Sequence, residues 1–527
     1  MSAIRRNIVW LLISQMATWV ITAITVVAVP TLLGDEDLGT LVFANAYVGF
    51  FTIIASLGTS TLMTREVARD HAVLSPYVYN AAVFKVLLVS GLSAVGLVLA
   101  VALGTRGAAL VMIAINFIGM MIIVLGEILH SALAGLERMA KPAMWGVVQA
   151  YVANAIGLLV LLLGGGLVAF GTIMVLGNAI PTIAMAIMVW PLVRHHGRLD
   201  FAVWKWFVRA GIPLTALAFS NLVYGTVDIP ILSFQTNDAT VGWYNVAQRW
   251  IGIPVFISTA VMAAFYPSFS SLAKRGGPPF ATQVNKAVIL VLLAAVPSAV
   301  GLGVVANDLI PLLYRPEFDN SIVLMQILAV HLPLTAVDTI LAMALIAADR
   351  QRRYVFVAFG AAVLNPIACL IVIPMTAERY GNGAIGAAIV TVATELLIMC
   401  GALALRSKGV LDRRATLKCV RIVVAGLTMG AVVWAADDLP LAVQVAIGIV
   451  VYSVASIALR TVSLDDVRDV MPARMSHALA KRSRGEDGII EDGGGEHDDG
   501  SDTHVSGDLY AQPRGQDRDS SLERPGE

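Results

Sequence analysis

Charge is scarce in this chain. Of 527 residues only 14% are Asp, Glu, Lys or Arg, against roughly 25% in a soluble protein, which excludes an ordinary water-soluble globule. Cysteine is scarcer still. Cys369, Cys400 and Cys419 all fall in or at the edge of apolar runs, which argues against a disulfide framework or a thiolate metal cluster. The sequence has no GxxxxGK phosphate loop and no HExxH pair, so neither P-loop ATP hydrolysis nor that zinc chemistry is written in it. His195 and His196 stand together in a loop without a third ligand and read as surface residues. No metal, no cofactor and no nucleic-acid partner is expected.

What the chain has in excess is apolar length, with 58% hydrophobic residues and a mean hydropathy of +0.79. A spanning helix needs about 20 apolar residues, and in lipid it satisfies its own backbone, so apolar runs count as membrane helices. The expected fold is all-α and polytopic, with about fourteen transmembrane helices. They lie near 7–33, 38–62, 78–103, 108–134, 144–169, 171–193, 210–233, 241–270, 283–305, 323–347, 355–375, 383–405, 418–436 and 440–460. The first run follows Arg5 and Arg6 but is too long for the h-region of a signal peptide, and reads as a retained helix.

Basic residues collect in alternate loops. Arg65, Arg69, Arg138, Lys141, Arg350, Arg352, Arg353, Arg413 and Arg414 lie on one side, against Arg106, Arg315 and Arg379 on the other. That asymmetry predicts a multi-pass protein of the cell membrane with both termini cytoplasmic. From Glu486 to Glu527, thirteen acidic residues stand against Arg514, Arg518 and Arg524, and a disordered acidic cytoplasmic tail is expected over 485–527. Between it and the last span, Leu464, Val467, Met471, Met475 and Leu479 recur at helical spacing. Over 462–484 this fits an interfacial helix on the inner membrane surface or a solvated helical linker equally well.

Two charged phrases interrupt the apolar runs in the same way: LAGLERMAKPA at Leu133–Ala143 and LIAADRQRRY at Leu345–Tyr354. Aligning them sets Glu137 on Asp349 and Arg138 on Arg350, and carries Asn154 onto Asn365 in the following span. Earlier, Val29-Pro30-Thr31-Leu32 answers Ile229-Pro230-Ile231-Leu232, and Leu38-Gly39 answers Val241-Gly242. The chain therefore reads as a repeat of two six-helix lobes, 1–206 and 207–410, followed by two additional spans in 411–461. Because six is even, the lobes are parallel, an organisation that belongs to transporters with a path between the halves.

Ionisable side chains inside spans cost energy and mark a pathway by default. Arg249 is the clearest, about 12 Å from the nearer end of its span at 1.5 Å per residue. A guanidinium pairs its donors with phosphate oxygens and stays charged at physiological pH. Lys85 either adds a second positive charge or snorkels, and Lys286, nearer a span edge, snorkels. The acids are Glu127, Asp228, Asp338 and Glu395. Glu127 and Asp338 fall within one residue of equivalence in the repeat. Glu127, Asp228 and Asp338 are candidates to take up H+ or hold Na+ as the lobes rock, or else to neutralise buried bases, Asp228 or Asp338 being the nearest counter-charge for Arg249. Beside His130, one turn away, Glu127 reads first as half of an interfacial pair. Asn45, Asn221, Asn245 and Gln248 can bind sugar hydroxyls, or hydrogen-bond between helices.

The stretch Val29–Arg69 (VPTLLGDEDLGTLVFANAYVGFFTIIASLGTSTLMTREVAR), the segment Val241–Pro254 (VGWYNVAQRWIGIP) and the short charged turns after the fourth and tenth spans resemble polysaccharide flippases. These belong to the multidrug/oligosaccharidyl-lipid/polysaccharide exporter superfamily. The resemblance covers 5–460, including the two extra C-terminal spans. It implies a non-enzymatic carrier of a polyprenyl-linked oligosaccharide, with an arginine at the place of Arg249 facing a central cavity. Membrane lipids and glycan-assembly proteins would be its surroundings and partners. Two alternatives stand beside it. A multidrug/cation antiporter of the same superfamily would suit a cavity dominated by acids rather than one centred on Arg249. A membrane glycan polymerase or ligase would need a substantial outer loop, and the longest here, Ala306–Ile322, is short.

Overall fold

The computed structural model describes residues 21–193, 198–273 and 277–461, apart from the side chains of Leu217 and Asn221. The expected interfacial segment 462–484, the acidic tail 485–527, the start of the first span, and His195 and His196 lie outside the described residues. The described residues all belong to one compact unit.

The regular structure described is all helical. The first half holds α1 (Ile21–Leu33), α2 (Asp35–Ser56), α3 (Thr59–Arg69), α4 (Leu74–Ala102), α5 (Gly107–Gly135), α6 (Ala140–Leu162), α7 (Gly166–Gly177) and α8 (Ala179–Val189). The second holds α9 (Phe201–Thr226), α10 (Asp228–Gln235), α11 (Asp238–Ala273), α12 (Gly277–Leu313), α13 (Asn320–Ala329), α14 (His331–Ala347), α15 (Gln351–Tyr380) and α16 (Ala384–Leu405). Two more follow, α17 (Arg413–Trp434) and α18 (Leu441–Ala458). Thirteen stretches, from Asp35–Arg69 to Leu441–Ala458, are long and apolar enough to cross a membrane. With α1 they fall on the expected runs in order.

Three spans are broken, each by the same chemistry. Proline has no N–H to give the carbonyl four residues back. Thus α7 ends at Gly177 ahead of Pro181, α9 at Thr226 ahead of Pro230, and α13 at Ala329 ahead of Pro333. A fourth break, between α2 and α3, has no proline. There Leu57 and Gly58 both take left-handed backbone, with φ 49° and 60°.

The two charged phrases fold alike. Glu137 and Asp349 have φ of 58° and 55°. Arg138 N–H donates to Leu133 O and Arg350 N–H to Leu345 O, each at 2.8 Å. Glu137 N–H donates to Ala134 O at 3.0 Å and Asp349 N–H to Ile346 O at 3.1 Å. Both are Schellman caps, closing α5 and α14 at aligned positions.

Packing differs between the two ends of the helices. Toward the end that carries Asp35 and Asn237, the acidic end, one core joins both halves, with Leu38 and Val42 of α2 in the same cluster as Tyr244 of α11 and Leu309 of α12. Toward the end that carries the Arg138 and Arg350 turns, the basic end, there are two separate cores. One gathers Met63, Val78, Ile128 and Met185; the other gathers Phe269, Val288, Ile340 and Ile422. The halves are joined at the acidic end and part toward the basic end. Phe207 of α9, assigned above to the second lobe, is buried in the first half's core.

The additional helices attach through α12. A Cβ on Gly426 or Gly430 would come within 2.5 Å of Val296 or 2.4 Å of Val300, the close approach that small residues four apart allow in membranes. Gln444 Nε2 donates to Asp308 Oδ2 at 2.9 Å and ties α18 to α12.

Candidate functional site

Arg249 lies on α11, seven residues past Gly242, so about 10 Å along the helix from the acidic-end contact at 1.5 Å per residue. It is part-buried, and its Nε donates to Asn245 Oδ1 one turn back, at 2.8 Å. One edge of the guanidinium is thereby fixed. Among the described residues no carboxylate forms an ion pair with it. Its electrostatic neighbour is the Tyr314 hydroxyl, which accepts from Trp250 Nε1 at 3.0 Å and donates to Val26 O at 3.1 Å. Tyr314 thus links α1, α11 and α12 beside the arginine. In the repeat register that sets Gly39 on Gly242, Ala46 stands where Arg249 does and Asn45 where Gln248 does. This cation therefore stands in one half of the repeat only. Asn45 is exposed and accepts from Asn116 Nδ2 at 2.9 Å.

The counter-charge expected from Asp228 or Asp338 is not supplied by either. Asp228, the first residue of α10, is buried at 4% exposure. Its carboxylate accepts from Tyr244 Oη at 2.5 Å and from Gln248 Nε2 at 3.4 Å, and from the Ile229 N–H at 3.0 Å. Tyr244 Oη also contacts Thr391 Oγ1 at 3.1 Å. Asn245 and Gln248, expected to bind sugar, spend polar atoms on Arg249 and Asp228. The side chain of Asn221 lies outside the described residues.

Lys85 does not snorkel. It is fully buried, and its Nζ donates to the carbonyls of Ala55 and Ser56, which the α2–α3 break releases. Those carbonyls are the negative end of the α2 dipole. Glu127 accepts from Ser56 Oγ at 2.9 Å and interacts electrostatically with Lys85, so its partners are there rather than at His130. Lys286 is part-buried on α12.

Asp338 accepts from Tyr354 Oη at 3.0 and 3.3 Å. Glu395, at 2% exposure, accepts from Tyr224 Oη and is an electrostatic neighbour of both Asp338 and His331. Nδ1 of His331 is buried without a hydrogen-bond partner, while its Nε2 lies 2.8 Å from Thr335 Oγ1. His331, Thr335 and Asp338 share one face of α14 by helical spacing. The tyrosines that satisfy these acids were missed from sequence, because each comes from another helix and no local spacing announces it. Among the described residues no group of three His, Cys, Asp or Glu could hold a metal.

An apolar cavity of about 570 Å³ opens beside the arginine's helix, lined by Trp250 and Pro254 of α11, Pro297 of α12, Met429 of α17, and Gly448 and Tyr452 of α18.

The family model described as "Polysaccharide biosynthesis protein" matches residues 4–273, and that for "Lipid II flippase MurJ" matches 220–454. The succinoglycan biosynthesis transport protein ExoT of Rhizobium meliloti (strain 1021) is 25% identical over 331 residues. The match takes in 60% of this chain and spans 63% of the length of that curated relative. Among solved structures, lipid II flippase MurJ in an inward closed conformation is similar with a TM-score of 0.70 at 16% identity, over 86% of this chain and 99% of that one. An inward-facing multidrug resistance MATE family transporter of the MOP superfamily is similar with a TM-score of 0.55 at 16% identity, over 79% and 98%. At these identities the two structures speak for a shared fold.

Proposed function

The chain belongs to the polysaccharide biosynthesis protein family, within the flippase superfamily whose fold it shares, and on that premise we propose that it carries a polyprenyl-linked oligosaccharide across the cytoplasmic membrane by alternating access. The observation that carries this reading is Arg249, a membrane-embedded guanidinium oriented through Nε by Asn245 with no carboxylate paired to it among the described residues. A buried cation without an anion is costly, and a phosphate or diphosphate head group supplies the missing charge. The apolar cavity lined by Trp250, the next residue after Arg249, suits a prenyl chain. An inner face at the basic end, with both termini cytoplasmic, follows from the loop charges. With the cores separate at that end, the head group enters from the cytoplasm. A drug cation would meet Arg249 as a like charge, which argues against the antiporter reading.

Asp338, Asp228 and Glu127 are the proposed sites of coupling to H+ or Na+. Asp338 has the strongest support, because a second carboxylate, Glu395, lies in its field, and Glu395 in turn neighbours the buried His331 imidazole.

The test is binding by the purified full-length protein. A polyprenyl diphosphate should raise its thermal stability, and Arg249→Ala should weaken that binding about 10- to 100-fold, the worth of one charge-assisted pair. Arg249→Lys should recover only part, a point charge replacing a planar fork. If Arg249→Ala binds as wild type does, the head group sits elsewhere.

A further inference from the structure

The acidic-end contact between the halves is built from residues that the repeat makes equivalent. Gly39 of α2 lies so close to α11 that a Cβ on it would fall 1.7 Å from Asp238 O. Gly242 of α11 lies so close to α2 that a Cβ on it would fall 2.2 Å from Asp35 O. The side chains repeat the exchange. Thr40 Oγ1 donates to Asp238 Oδ2 at 2.7 Å, and Trp243 Nε1 donates to Asp35 Oδ2 at 2.9 Å. One register sets Asp35 on Asp238, Gly39 on Gly242 and Thr40 on Trp243, so each half offers the other the same three elements. Parallel repeats related by an axis along the membrane normal put such a reciprocal contact on the axis, where a central path would leave the protein.

We infer that this contact is a two-sided latch that holds the acidic end shut, and that its opening requires Gly39 and Gly242 to withdraw together from the opposite aspartate backbone. A glycine is needed at both positions because any Cβ overlaps backbone, which cannot rotate away as a side chain can. The hydrogen bonds from Thr40 and Trp243 are made only when the helix ends touch, so they are lost on opening and set the strength of closure. The latch concerns the equilibrium between closed and open forms and does not depend on what the protein carries.

The test places paramagnetic labels on cysteines at Glu36 and Asn237, both exposed beside the contact, in full-length protein in lipid nanodiscs. Cys400 and Cys419 are replaced, while Cys369 is fully buried and can stay. Wild type should show one short separation. Gly39→Ala and Gly242→Ala should each raise a longer-distance population about tenfold or more, because the closed contact alone pays for the added methyl. Thr40→Val combined with Trp243→Phe, which adds no bulk at the glycines, should raise it several-fold. A folded protein that keeps the short separation alone in the alanine variants, or in the hydrogen-bond variant if those do not fold, overturns the latch. In a separate variant, Thr40→Cys with Asp238→Cys, oxidation to a disulfide should stop translocation of a fluorescent polyprenyl-diphosphate sugar and reduction should restore it. Translocation that continues in the cross-linked protein also overturns it. If distances respond as expected but no variant translocates that probe, the latch stands and the substrate reading falls.

Discussion

A lysine fully enclosed in a membrane protein needs its charge answered at every donor, and Lys85 is answered by two carbonyls freed at the α2–α3 break and by the field of Glu127. The sequence gives the depth of such a residue but not its partners, which is why Lys85 reads from sequence equally as pathway or as snorkel. Replacing it with methionine leaves Glu127 without its cation and the two carbonyls without a donor. Lys85→Met should therefore cost about 3 kcal/mol of stability. Lys85→Met combined with Glu127→Gln should recover most of that loss, since the uncompensated charge is then gone. Thermal unfolding of the three proteins in the same lipid checks this. A single variant as stable as wild type would mean that the lysine is dispensable to the break. Arg249 is the opposite case: its place was legible from depth alone, but the counter-charge guessed for it was wrong, because Asp228 and Asp338 are already satisfied by Tyr244 and Tyr354.

At the scale of elements, the spans were legible because length and apolarity are local properties, and the aligned charged phrases do close α5 and α14 with the same cap. What the phrases conceal is the backbone. Glu137 and Asp349 occupy left-handed positions that glycine usually fills, so the identity of neither residue betrays the turn. A β-branched side chain there meets its own backbone. Asp349→Val should cost about 1–2 kcal/mol while Asp349→Gly costs nothing measurable. Unfolding midpoints for the pair decide it, and equal midpoints would remove strain at that position from the account. The breaks in three spans fall just ahead of prolines at positions 181, 230 and 333, yet the expected spans run through them unbroken. Pro254, Pro297 and Pro366 lie inside continuous helices, so proline alone does not announce a break. The break at Leu57 and Gly58 has no proline to mark it. It depends on Lys85 from α4 and on the close approach of α9, where a Cβ on Gly211 would lie 2.2 Å from Leu57 O.

For the whole molecule, the repeat predicted two halves, and the packing gives them a direction: one shared core at the acidic end and two separate cores at the basic end. That difference is invisible to a linear reading, because it depends on which helices from the two halves touch, and α9 crosses to the first half's core through Phe207. A carrier of this kind needs no soluble domain. On the proposed function, an apolar tail would remain in the bilayer while the charged head passed between the halves beside Arg249. The most direct measurement is the rate at which a fluorescent polyprenyl-diphosphate-linked sugar becomes accessible to an impermeant reagent outside proteoliposomes that contain this protein alone. The account predicts a rate well above that of protein-free liposomes, falling to the protein-free level in Arg249→Ala. A rate equal to that of protein-free liposomes, from protein that is folded and exports a cationic dye instead, would contradict it.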